Sequence, residues 1–208
     1  MNNSLFGKMQ SVLMSQSDIK DICDTLKRGY YPLAVSGLSS IHKAQLALII
    51  STLSEESAPL LIITDDEAGA KRICDDINEM YAVSQNENET AAYIYPAKDI
   101  TLARVESVSK EYEYQRLCVL ARLIDSSCKI VCASAEAVMQ RTIPPDVLAD
   151  RTIKLSRDTS VQLPDLISRL IAAGYTRCDK VESPSQFSVR GSIADIFPVQ
   201  EKMPVRME

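Results

Sequence analysis

The 208-residue sequence has one histidine, no C-x-x-C pair, no long apolar run and no excess of basic charge. Each absence removes a class of function. His42 has no Ser or Cys nucleophile placed beside it by sequence, so a histidine-based catalytic constellation is not indicated and no catalytic residue is expected. The six cysteines (Cys23, Cys74, Cys118, Cys128, Cys132, Cys178) are scattered. Cys128 and Cys132 lie four apart, with no second pair of ligands to complete a zinc site, so no metal is expected. Reduced thiols of a cytoplasmic protein are the expectation. Apolar runs such as Leu46 to Ile50 and Pro59 to Ile63 are too short to span a membrane. Residues 1–16 are polar and mixed, without the basic-then-apolar pattern of a secretion signal. The net charge of −5 is carried by the first 142 residues, because nine acidic groups balance nine basic ones from Ile143 onward. Duplex binding requires clustered Lys and Arg, so weak nucleic-acid binding at best is expected.

What is present is the composition of a soluble globular protein, 46% hydrophobic and 25% charged, long enough for one large or two small domains. Periodicity predicts helices over Ser17 to Arg28 (capped by Ser17 and ended by Gly29), Ile41 to Leu53, Asp66 to Met80, Lys110 to Ile124 and Glu136 to Gln140. It predicts strands over Leu33 to Val35, Leu60 to Thr64, Ala92 to Tyr95 and Lys129 to Ala133, and a polar loop over Ser84 to Thr90. Strands alternating with helices at this spacing imply an α/β domain whose parallel sheet is covered on both faces. Tyr93, Tyr95, Tyr112, Tyr114 and Arg116 suggest base stacking. Glu106, Glu111 and Glu113 nearby repel phosphate, which favours packing roles instead.

Ser36-Gly37-Leu38-Ser39-Ser40-Ile41-His42-Lys43-Ala44 has the placement of a phosphate loop, G-x-x-x-x-G-K-[ST], between a predicted strand and helix. Gly37 and Lys43 occupy the first Gly and the Lys. His42 replaces the second Gly, which permits close approach of backbone to phosphate. Ala44 replaces the hydroxyl that would hold Mg²⁺. A P-loop-like domain with a degenerate nucleotide site is therefore expected. The acidic Thr64-Asp65-Asp66-Glu67 reads as a helix start favoured by the dipole rather than a Mg²⁺ site.

The pattern changes at Thr142-Ile143-Pro144-Pro145, read as a linker between domains 1–142 and 143–208. Beyond it the sequence predicts a strand over Thr152 to Leu155 and a helix over Asp165 to Ala173 closed by Gly174. Tyr175 to Val181 and Gln186 to Phe197 are then predicted as paired strands joined across Ser183-Pro184-Ser185, in a small α+β domain. Alternation at Val205 to Glu208 suggests a sheet cut short in a piece of a longer protein. On the strand after Gln186, alternation puts Phe187 and Val189 inward and Ser188 and Arg190 outward, with a bulge or turn at Gly191. Arg177, on the neighbouring strand, is placed to share that outer face. Two exposed arginines suit an acidic protein partner; solvated surface arginines fit the spacing equally well.

Gly174-Tyr175-x-Arg177-x-Asp179 followed by Phe187-x-Val189-Arg190-Gly191 and Asp195-Ile196-Phe197-Pro198 resembles the signature of the UvrB interaction domain. Val35-Ser36-Gly37-Leu38, Tyr95-Pro96-Ala97-Lys98-Asp99 and Ala133 to Arg141 extend the likeness to the N-terminal UvrB-homology module of bacterial transcription-repair coupling factors. UvrB itself resembles the chain less, since it carries an intact phosphate loop and a tyrosine-rich hairpin. The resemblance implies a non-catalytic module of nucleotide excision repair that recruits UvrA. Arg177 and Arg190 match arginines that contact UvrA in the family. Ser188 stands where UvrB has a further interface arginine. For the intact protein, the resemblance implies an ATP- and Mg-dependent DNA translocase motor downstream, with RNA polymerase and DNA as further partners, and masking of the UvrA surface by intramolecular contacts. The alternative implication is a UvrB-type ATP-dependent excision-nuclease subunit or a helicase fragment that binds damaged DNA.

Overall fold

The computed structural model describes residue 12 and residues 15–53, 58–82, 90–98, 110–156 and 160–208. The predicted polar loop lies outside these except for Thr90, as do residue 99 of the matched motif and Glu106. The chain forms two compact units, residues 1–100 with 125–140, and residues 101–124 with 141–208. Helix 111–124 therefore joins the second unit, whereas the sequence placed it before the linker.

In the first unit, α1 spans Ser17–Lys27 and buries Cys23. Gln16, not Ser17, is its N-cap, and the Ser17 hydroxyl donates to Asp18 Oδ1 at 3.2 Å. Gly29 adopts φ +74°, reversing the chain as an αL residue after the helix. The predicted strand over Leu33 to Val35 is absent. Residues 30–36 run exposed and irregular; among the described residues no strand pairs with them, and β-propensity alone does not hold a strand. Helix α2 (Ser40–Leu53) buries Ala44, Ala47 and Leu48.

Strand β1 (Leu60–Thr64) leads through Asp66 into α3 (Glu67–Ala82). Asp66 Oδ1 accepts from the Gly69 N–H at 2.6 Å, and the Thr64 hydroxyl donates to the Asp66 carbonyl at 2.7 Å. The acidic start is thus a helix cap. Strands β2 (Ala92–Tyr95) and β3 (Ile130–Ser134) complete a three-stranded sheet of order β1-β3-β2, with both pairings parallel. Central β3 is buried at every residue. Ala70, Cys74 and Ile77 of α3 meet Ile130 and Cys132 in the core. Asn78 fastens β2 to α3. Its Oδ1 accepts from the N–H groups of Ala91 (3.0 Å) and Ala92 (2.9 Å), and its Nδ2 donates to the Ala92 carbonyl at 2.9 Å.

Ser134 caps the short helix α5 (Ala135–Met139), its Oγ accepting from the Ala137 N–H at 3.2 Å. Gln140 then clamps the stretch after β2. Lys98 N–H donates to Gln140 Oε1 at 2.6 Å, and Gln140 Nε2 donates to the Lys98 carbonyl at 3.3 Å. The upstream motif residues at 95–98 and 133–140 therefore build the end of the sheet.

In the second unit, α4 spans Glu111–Ile124 and α6 spans Pro145–Arg151. The two prolines do not form a bare linker. Pro144 is the N-cap and Pro145 opens α6, where a missing N–H costs nothing. No strand forms over 152–155. Helix α7 (Leu163–Ala172) buries Leu166 and Leu170 against Phe187 and Ile196. Gly174 at φ +88° closes it. Tyr175 N–H donates to the Leu170 carbonyl at 2.9 Å and Gly174 N–H to the Ile171 carbonyl at 3.0 Å, a Schellman arrangement.

A four-stranded sheet of order β4-β5-β6-β7 follows, formed by β4 (Thr176–Arg177), β5 (Gln186–Arg190), β6 (Ile193–Ile196) and β7 (Val205–Met207). The predicted single strand from Gln186 to Phe197 is instead two antiparallel strands turning at Gly191 (φ +62°) and Ser192. The β4–β5 pairing is parallel. Tyr114 joins α4 to the turn before β5, its hydroxyl 2.6 Å from Ser185 Oγ. The Cys118 thiol donates to the Val199 carbonyl at 3.1 Å. These bonds tie residues 111–124 to the second unit.

Candidate partner-binding face

In β5 the two ends of the predicted alternation hold, while Ser188 is buried and Val189 half-buried. Phe187 is fully buried and Arg190 is exposed. Register then extends one face across three strands. Ser188 stands opposite Asp195, and Asp195 opposite Arg206. Paired residues in a ladder share a face, so Ser188, Asp195 and Arg206 form one polar row, with Arg190 on the same side.

Arg206 and Asp195 make a two-pronged ion pair. Nε donates to Oδ1 at 2.7 Å and a terminal nitrogen donates to Oδ2 at 2.9 Å. The hydrogen bonds from Arg206 hold the Asp195 carboxyl below its ordinary value, and the charges of Arg206 and Arg190 act in the same direction. The same bonds push the Arg206 guanidinium up. Arg190 is fixed differently. One terminal nitrogen donates to the Asp179 backbone carbonyl at 2.6 Å. Among the described residues it has no carboxylate in ion-pair range. It is a positioned guanidinium with N–H groups left for an incoming acceptor.

Two sequence expectations change here. Ser188 lies on the outer face but is only 3% exposed; it is the floor of the polar row rather than a projecting side chain. Arg177 is exposed, but its partner in the parallel register is Phe187. It therefore falls on the face opposite Arg190, at the edge strand β4. The sequence reading missed Arg206, which the alternation of β7 exposes only once its pairing with β6 is known. It also missed the Asp179 carbonyl, a backbone acceptor with no side-chain signature.

The residues of the expected phosphate loop are spread apart in role. Gly37 adopts φ +81° on the exposed segment. His42 and Lys43 are exposed, and His42 Nδ1 lies 3.0 Å from Ser39 Oγ at the start of α2. Ala44 is fully buried among Ala47, Leu48, Ala70 and Cys74. A hydroxyl at position 44 would enter the core, and the strand that normally aims such a loop is missing. The structure gives a parallel three-stranded α/β unit, and the P-loop-like arrangement stays an expectation of the sequence. Among the described residues, no group of His, Cys, Asp or Glu is placed to hold a metal ion, and no helix is long and apolar enough to cross a membrane.

Comparison with protein families matches residues 153–208 to the UvrB interaction domain. The chain is 28% identical over 200 residues to the transcription-repair-coupling factor of Bacillus subtilis, covering 96% of this chain and 16% of that protein. It is 25% identical over 198 residues to UvrABC system protein B of Thermus thermophilus, covering 91% and 29%, and 22% identical over 204 residues to that of Yersinia pestis, covering 93% and 30%. The chain thus spans less than a third of the length of these relatives. Over nearly its whole length the chain is similar to part of a bacterial transcription-repair coupling factor and to part of UvrABC system protein B, and its residues 153–208 match the UvrB interaction domain.

Proposed function

We propose that the chain is a docking module that recruits UvrA for nucleotide excision repair, within a transcription-repair coupling factor, and that it does no chemistry itself. The observation that carries the reading is Arg190. It projects from the outer sheet face of the second unit, is held by the Asp179 carbonyl and makes no direct ion pair among the described residues. A preset guanidinium loses little side-chain entropy on engaging a carboxylate, so it is suited to anchor a protein interface. Arg177 supplies a second contact around the β4 edge. The first unit serves as a scaffold that does not hold nucleotide at Gly37, His42, Lys43 and Ala44. In the intact protein the module would deliver UvrA to stalled RNA polymerase, with ATP used by a motor elsewhere.

Calorimetric titration of the chain with UvrA tests the reading. Arg190→Glu is expected to weaken binding by about 2–4 kcal/mol, the range of a truncated interface hot spot. Because Arg177 and Arg190 lie on opposite faces, the losses in Arg177→Glu and the double variant should be additive. Wild-type affinity in both single variants would reject the docking face.

A further inference from the structure

Cys74 of α3 and Cys132 of the central strand β3 are far apart in sequence and meet in the core of the first unit. On β3, Ile130 and Cys132 point to the face that α3 covers. On α3, Cys74 lies one turn before Asn78, whose amide is fixed by the β2 backbone. Asn78 Nδ2 also approaches Cys74 Sγ at 3.6 Å. Each sulfur therefore sits on a rigid element, in a cluster rich in small side chains such as Ala70, Ala91 and Ala92. The two thiols are unequal. Cys132 donates a hydrogen bond to Cys74, which holds the Cys74 thiol below its ordinary value against the cost of burial. The same bond, with burial, pushes Cys132 up. Cys74 is the sulfur that gives up its proton, and Cys132 the one that keeps it. Cys128 turns its own proton to the Ile130 carbonyl at 3.4 Å.

We infer that Cys74 and Cys132 form an oxidisable dithiol, with Cys74 the nucleophile toward a small hydroperoxide and Cys132 the resolving thiol, and that the resulting disulfide locks α3 to the sheet. With hydrogen peroxide, the Cys74 thiolate attacks one oxygen. An S–O bond forms, the O–O bond breaks, and the departing hydroxide takes up the proton that Cys74 released, giving water. The Cys132 sulfur then attacks the sulfenic sulfur of Cys74. The S–S bond forms, the S–O bond breaks, and hydroxide leaves with the Cys132 proton as a second water. The two thiols are oxidised by two electrons and the peroxide is reduced by two. Access selects the reagent. Cys74 is 5% and Cys132 0% exposed, which keeps out bulky alkylating agents; hydrogen peroxide is close to water in size and enters through small local openings. Oxidation at this pair is independent of the docking face, because both residues belong to the first unit.

Mass spectrometry of the native wild-type chain after brief treatment with hydrogen peroxide is the test. Trypsin cuts after Arg72, Lys98, Arg122, Lys129 and Arg141, so Cys74, Cys128 and Cys132 fall in separate peptides. The peptides of Cys74 and Cys132 should carry the principal disulfide, and dithiothreitol should release it. Oxidation should raise the melting temperature by roughly 5–10 °C, and reduction should reverse the rise. Absence of this linkage, joining of Cys74 to Cys128 instead, or a linked pair found only in urea overturns the inference. So does a melting temperature lowered by the bond, which would mean that it forms only by distorting the core. Two variants read the roles. In Cys132→Ser, dimedone should trap a sulfenic acid on Cys74, whereas in Cys74→Ser the thiol of Cys132 should stay unlabelled. Labelling of Cys132 in place of Cys74, or of neither, refutes the assignment of nucleophile and resolving thiol. The wild-type linkage decides the matter where a variant does not fold.

Discussion

Replacing Asn78 by Ala isolates the device that holds β2 in the first unit. The side chain makes three hydrogen bonds, two from backbone N–H groups and one to a backbone carbonyl. Each is worth about 1 kcal/mol net. The larger loss is what remains behind. Ala91 and Ala92 are 2% and 1% exposed, so their amides lose an acceptor where water does not readily replace it. An unsatisfied buried donor costs roughly 1–3 kcal/mol. The deleted amide also leaves space beside Cys74, which accepts weakly from Asn78 Nδ2 at 3.6 Å. Asn78→Ala should therefore destabilise the first unit by about 3–5 kcal/mol, and lower its melting temperature on the order of 10 °C. Urea unfolding measures the first quantity. Native-state hydrogen exchange locates it, with protection lost first at Ala91 and Ala92. A loss below about 1 kcal/mol, with those two amides still protected, would refute the claim that Asn78 fastens the strand.

Three further outcomes follow from the same geometry. The double variant His42→Gly/Ala44→Thr, which restores the phosphate-loop letters, should not bind Mg·ATP in calorimetry, and should lose about 1–3 kcal/mol of stability because position 44 is packed in the core; tight nucleotide binding would contradict the placement of that residue. The Asp195 carboxyl is held down by Arg206, so its contribution is complete above the ordinary carboxylate range and is lost as pH falls through the lowered value. Carboxyl NMR titration should show that lowered midpoint and its rise in Arg206→Gln; a midpoint unmoved by the substitution would disprove the coupling. Alkylation of the native protein should reach the half-buried Cys178 ahead of the buried Cys74, Cys128 and Cys132, and early labelling of the buried three, read by mass spectrometry, would contradict their packing.

Much of this molecule is legible in the sequence where local pattern and tertiary environment agree. The apolar runs at Leu60 and Lys129 become β1 and β3, and the helix read over Asp165 to Ala173 becomes α7. Alternation in β5 matches the burial of Phe187 and the exposure of Arg190 but not the burial of Ser188. The failures share a cause. Leu33 and Val35 have strand propensity but, among the described residues, no strand paired with them. Pro144 and Pro145 break one helix and, equally by rule, open the next. The face of Arg177 depends on a parallel register with β5, and the burial of Ser188 on its neighbours across the sheet. Ala44 reads as a missing hydroxyl in a motif, whereas its burial makes it a packing residue of α2. The grouping of helix 111–124 with the second unit rests on contacts such as Tyr114 with Ser185, 71 residues apart, which no local window contains.

Hydrogen–deuterium exchange of the chain with and without saturating UvrA tests the docking face most directly. Slowed exchange should be concentrated in residues 176–181 and 186–190, including the strand that carries Arg190, with residues 37–44 of the first unit unchanged. Protection confined to residues 37–44, or none over 176–190 in a complex that has formed, would contradict the account.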